Sequence, residues 1–146
     1  MPKSLATAFF LFIFSSLSAQ PIGFYNVENL FDTISDAGKF DLEFTPQGSK
    51  SYNSVRYYLS LRQTARVLRH MAIEENIRLI GLAEVENRSV LLDLSHHRGL
   101  RDVGNWQLVH YDSPDRRGID CAILYDADRY TLLHSDRIRY STDSLF

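Results

Sequence analysis

Apolar positions along the chain fall into two patterns, short runs and a helical spacing, and they predict different elements. The segment Ile22-Gly-Phe-Tyr-Asn26 follows Pro21 and is rich in aromatic and branched residues, which predicts a first short strand. Leu79-Ile-Gly-Leu-Ala83 is a short apolar run that ends abruptly at Glu84-Val-Glu-Asn87. It is too short for a helix and fits a central strand covered on both faces. Trp106 to Tyr111 and Ile119 to Tyr125 predict two more strands, joined through Asp112-Ser-Pro-Asp-Arg-Arg-Gly118 as a hairpin with a wide basic loop. Tyr130 to Tyr140 alternates in part and predicts a further strand.

Between the first two strands the period changes. From Asn53 or Ser54 to Glu75, the residues Tyr57, Tyr58, Leu61, Ala65, Leu68, Met71 and Ala72 recur at three and four, which predicts an amphipathic helix with Asn53 or Ser54 as its N-cap. Arg56, Arg62, Arg66 and Arg69 decorate the other side and read as a solvated outer face, with phosphate binding as the alternative. Ser89 to Leu94 predicts a short helix begun after Asn87. Val27 to Lys50 is polar, broken by Gly38, Pro46 and Gly48, and reads as a long surface loop bordering a cleft.

A right-handed crossover through the long helix makes the first two strands parallel neighbours. Asn26 and Glu84 then arrive at one edge of the sheet, beyond the strand ends where open α/β sheets place their ligands. Glu84 alone reads equally well as a solvated strand-end acid. The convergence of Asn26-Val-Glu28 with Glu84-Val-Glu86-Asn87 is what makes it a candidate site. Carboxylates and amides are hard oxygen ligands suited to Mg²⁺ or Ca²⁺ rather than zinc, and phosphoryl chemistry is the natural class for such a set.

Composition adds bounds rather than detail. A hydrophobic fraction of 45% with 12% aromatic residues is enough for one domain with a core, and a formal charge of -2 confines any nucleic-acid partner to a local patch. Residues 1–19 carry one lysine, an apolar stretch from Leu5 to Phe14 and then Ser15-Ser-Leu-Ser-Ala19, the pattern of a secretory signal peptide. A secreted or periplasmic domain over 20–146, without stable membrane association after cleavage, is the expectation; an uncleaved N-terminal anchor is the alternative. The lone Cys121 cannot form an internal disulfide and is expected as a small buried hydrophobe. Adjacent His96 and His97 point apart and carry no metal expectation.

Three motifs together, Phe24-Tyr-Asn-Val-Glu-Asn-Leu-Phe-Asp32, Ile80-Gly-Leu-Ala-Glu-Val-Glu-Asn87 and His110-Tyr-Asp-Ser-Pro-Asp-Arg-Arg-Gly-Ile-Asp-Cys-Ala-Ile-Leu-Tyr125, resemble the endonuclease/exonuclease/phosphatase superfamily in its secreted, extracellular-nuclease-like branch. The resemblance implies an α/β fold, the N-terminal half of a four-layer sandwich of two packed mixed sheets flanked by helices. It implies hydrolysis of a phosphate ester, possibly in DNA or RNA, with Mg²⁺ (or Mn²⁺ or Ca²⁺) as cofactor. By position, Glu84 matches the metal-binding glutamate, Asn26 the active-site asparagine, and Glu28 a second acidic group beside the metal. Arg116 or Arg117 would face the phosphate, or else form a solvated turn. The later family motifs, a downstream His, Asp-x-Asn and Asp-His, have no counterpart: no Asp here is followed two residues on by Asn, and none directly by His. The 146 residues are therefore expected to be a C-terminally truncated, inactive piece of a phosphodiesterase. A phosphatase of small or lipid phosphate esters and a non-catalytic secreted binding module are the alternatives.

Overall fold

The computed structural model describes residues 19–138, so the leader expected over 1–19 lies outside it except for Ala19. Four strands form one mixed sheet, β1 (Gly23–Leu30), β2 (Leu79–Val85), β3 (Trp106–His110) and β4 (Asp120–Asp126), in the order β1-β2-β4-β3. β1 and β2 are parallel neighbours, with Asn26 opposite Ala83; β4 runs antiparallel to both β2 and β3. Helices α1 (Ser54–Glu74), α2 (Arg88–His96) and α3 (Arg98–Arg101) supply the remaining regular structure, with a single 3-10 turn at Leu42–Phe44.

The long helix forms for the reasons its spacing gives. The Asn53 side chain accepts from the Arg56 amide at 3.2 Å, satisfying one of the free N–H groups of the first turn. Tyr57, Leu61, Thr64, Ala65, Leu68 and Ala72 are buried and join Ile80, Leu82, Trp106, Ala122 and Leu124 of the sheet in one core. Each fully buried leucine in that layer contributes about 2–3 kcal/mol. Tyr58, expected on the buried stripe, is exposed instead, because it lies about 100° round the helix from Tyr57 and only one of the two can face the sheet. The outer arginines divide: Arg56, Arg62 and Arg66 are exposed, whereas Arg69 is half-buried and donates to the Gly99 carbonyl at 3.1 Å.

The segment read as loop from Val27 to Lys50 is more ordered than its composition indicates. β1 continues to Leu30, and the 3-10 turn at Leu42–Phe44 carries Phe44 inward to stack on Phe31, ring centroids 3.9 Å apart, with Tyr52 edge-on to Phe44 at 5.7 Å. Three aromatic rings at intervals too irregular for any period fasten this segment to the core. Gly48 closes its turn, since a Cβ there would drive into the Leu42 carbonyl oxygen.

The opposite face of the sheet is open to solvent. Phe24 is 69% exposed and Ile123 43%. Cys121, expected buried, is exposed for the same reason: it alternates with Ala122, and it is Ala122 that faces the helices. Residues 130–138 cross this side without joining the ladder, so the strand expected over 130–140 does not form within the described residues. Hydrogen bonds tether the crossing: the Tyr111 hydroxyl donates to the Ser135 carbonyl at 3.0 Å and lies 2.7 Å from the Ser135 hydroxyl, and Arg137 Nη1 donates to the Asp112 carbonyl at 3.4 Å.

Candidate active site

The site begins with two breaks in the sheet. The β1–β2 register slips between Asn26 and Leu30, and the β2–β4 register slips between Ala83 and Val85, leaving Glu84 as the residue without a partner on β4. Glu28, Asn29 and Glu84 all adopt positive φ, at 55°, 63° and 64°. A left-handed conformation costs a non-glycine residue on the order of 1 kcal/mol, and bulges that carry one commonly re-aim a side chain beside an active site. Asn26 is exposed and its side chain accepts from the Glu28 amide at 2.8 Å, fixing the bend that follows it.

Glu84 lines an open cleft of about 1220 Å³ together with Ala83, Asp112, Asp115, Arg117 and Asp120. Of the residues expected from sequence, the structure brings Glu84 and Arg117 to this cleft. Asn26 and Glu28 sit on the adjoining strand end and do not line it. Arg116 lies outside the lining too, its guanidinium over the Phe40 ring at 4.4 Å. Arg117 is held by Asp115: its Nη2 donates to Asp115 Oδ2 at 2.8 Å and its Nε reaches both carboxylate oxygens. That pairing raises the guanidinium's affinity for its proton and holds the Asp115 carboxyl below its usual range, and Glu84 adds to the negative field at Arg117. Gly118, at φ 75°, turns the chain out of this loop into β4.

Sequence reasoning did not single out His110 and Asp120. His110 Nε2 lies 2.9 Å from Asp120 Oδ2, both side chains almost wholly buried, and Asp120 Oδ1 accepts from the Ser113 amide at 2.8 Å. With Asp112 they place three ligand atoms within 4.8 Å of one another. The signal was available in the strand alternation. Trp106, Leu108 and His110 share a face with Asp120, Ala122 and Leu124, so a polar pair ends an otherwise apolar stripe.

A sequence model of the endonuclease/exonuclease/phosphatase family matches residues 21–145. The chain belongs to this family. No curated protein and no solved structure matches it. Family membership makes it a hydrolase of the phosphoesterase kind, and the divalent metals typical of the family meet a suitable donor set here. The acidic groups along the cleft, Glu84, Asp112, Asp115 and Asp120, offer only hard oxygen ligands, which is the chemistry Mg²⁺ and Ca²⁺ select.

Two residues beyond Glu84 the chain turns inward, and Glu86 is buried. Its Oε2 accepts from the Asp32 amide at 2.6 Å, while Oε1 has no partner. Burial pushes its carboxyl up to about 8, against the opposing effect of the Asp32 amide and with further lift from the charges of Asp32, Asp36 and Asp41. The unfolded chain releases this proton in the ordinary carboxylate range, so between there and about pH 8 only the folded state holds it. Stability of the metal-free protein is therefore expected to fall as pH rises through that window. Urea titrations of chelator-treated protein from about pH 5 to about pH 8 measure the slope. Identical slopes for the parent and Glu86→Gln would remove Glu86 as its source.

Proposed function

We propose that this chain is part of a secreted, divalent-metal-dependent phosphodiesterase, acting as a nuclease on DNA or RNA, with its cleft at the bulged ends of β1 and β2. The observation that carries this reading is Glu84: an acidic residue held in a left-handed bulge where two ladders slip, lining the same cleft as Arg117. Nothing in the packing of β2 requires a glutamate at that strained position. The open face of the sheet is where a second sheet would pack to complete the family's four-layer sandwich. Residues 20–146 form the corresponding domain, and 1–19 direct export to the periplasm or medium.

Glu84, with Glu28 as a further carboxylate, would hold the metal. When bound, the ion supplies charge neutralisation at phosphoryl oxygens and acidifies a water. Asn26 offers an amide at the same edge to position a phosphate oxygen. Arg117 presents a guanidinium fork, and a substrate phosphate must compete with Asp115 for it. Arg116 reaches the phosphate only if it leaves Phe40. His110 does not line the cleft itself; it is buried and fixed in orientation against Asp120, which does.

Manganese titration of the purified chain, followed by calorimetry, tests the reading. Binding that weakens at least about tenfold in Glu84→Gln, and competition by a phosphodiester analogue, are the expected results. Unchanged Mn²⁺ binding in that variant would sink the metal assignment. The 146 residues alone are expected not to hydrolyse bis-p-nitrophenyl phosphate, because they contain neither Asp-x-Asn nor Asp-His.

A further inference from the structure

We propose that Asp36, Asp41 and Glu86 form a separate cation site, of the kind that takes Ca²⁺, which fastens the segment after β1 to the end of β2. One ligand oxygen from each residue lies within 4.8 Å of the other two. Two oxygens each about 2.4 Å from one calcium ion are at most about 4.8 Å apart, and the three meet that condition for a shared coordination shell.

Two of the three carboxylates are almost completely removed from water, Asp41 at 1% exposure and Glu86 at 4%. Among the described residues, no arginine, lysine or histidine forms an ion pair with any of them. Lys39, a near neighbour in sequence, donates instead to the Asp115 carbonyl at 3.0 Å. Buried carboxylates ordinarily have a counter-charge or a metal. The independent pointer to a ligand is Glu86 Oε1, a buried oxygen with no hydrogen-bond partner. Asp41 is already oriented for a shared role: Oδ1 accepts from the Ser35 hydroxyl at 2.6 Å and Oδ2 from the Asp36 amide at 2.8 Å, and each oxygen keeps a second lone pair.

Calcium suits the site better than magnesium. Magnesium holds on to several waters and uses one or two carboxylates, whereas three carboxylates from an irregular segment, two of them buried, match the flexible all-oxygen shell of calcium. The site is also distinct from the cleft, whose lining includes none of the three. Its consequence reaches the cleft indirectly. The Phe40 amide donates to the Arg116 carbonyl at 2.7 Å, and Lys39 holds the Asp115 carbonyl, so the segment ordered by the ion carries the turn that presents Arg117.

The test uses the 146-residue chain stripped with chelator. Thermal melts with and without millimolar CaCl₂ are expected to show a rise in Tm of about 5 °C or more. Glu86→Gln, an isosteric change that removes the carboxylate a cation would bind, and Asp36→Asn, at an exposed position, are each expected to abolish that rise. Glu84→Gln is expected to keep it, which separates this site from the proposed catalytic metal. A calcium response in Asp36→Asn equal to that of the parent overturns the proposal, as does its loss in Glu84→Gln. In Glu84→Gln, where the cleft metal is removed, a Tm rise with MgCl₂ equal to that with CaCl₂ overturns the assignment to calcium.

Discussion

Glu84→Gly is expected to stabilise the protein by about 1 kcal/mol while abolishing divalent-metal binding in the cleft. The two effects have one origin. At φ 64° a glutamate carries the steric penalty of the left-handed region, and glycine does not. The glutamate side chain is also not needed to fill the core, since it lines the open cleft rather than the layer formed by Ile80, Leu82 and Val85. Removing it therefore relieves strain without leaving a cavity. Urea denaturation reads the stability change and Mn²⁺ calorimetry reads the binding. A variant that is both less stable and still binds Mn²⁺ normally would show that Glu84 is a structural residue, and the proposed site would fall with it.

The second large effect is purely structural. Arg78→Met is expected to cost about 3–5 kcal/mol, a large part of the stability of a domain this size. Arg78, just before β2, pairs its Nη1 with Asp126 Oδ2 at 3.2 Å, donates to the Val103 carbonyl, and has only 18% of its side chain exposed. Asp126 is more deeply buried, with 5% of its side chain exposed, and its Oδ1 accepts from the amides of Asn105 and Asp128. Methionine at position 78 would match the aliphatic stem but strand that carboxylate without a counter-charge. Arg78→Met with Asp126→Asn is expected to recover part of the loss, because an asparagine oxygen still accepts from Asn105. A loss under about 1 kcal/mol for the single variant would place the pair among ordinary surface ion pairs.

Much of the fold is legible in the sequence wherever a period exists to be read. The spacing from Tyr57 to Ala72 located α1 and its Asn53 cap, and the crossover rule gave the parallel pairing of β1 with β2. The three motifs placed the chain in its family. What escaped lay where no local period operates. Phe31, Phe44 and Tyr52 are separated by 13 and 8 positions, so the packing that orders the segment after β1 exists only in three dimensions. The exposure of Cys121 is not legible there, because an apolar run gives no indication of which face of a strand is covered. His110 with Asp120, and Asp36 with Asp41 and Glu86, are polar groups brought together from different elements, and each alone resembles an ordinary surface residue. The bulge at Glu84 was equally hidden, since the sequence there looks like the uninterrupted end of a strand.

The strand order has a consequence for how the chain is made. Among the described residues β4 is the last strand of the sheet to leave the ribosome, yet it is inserted between β2 and β3 rather than added at an edge. Until residue 126 has emerged, β2 can pair only with β1, and its other edge offers unpaired amides and carbonyls to any passing strand. The cleft shares this dependence, since Glu84 and Asp120 line one cleft only after that insertion. A sheet that closes at its centre only when β4 arrives favours a chain held unfolded until that strand is available.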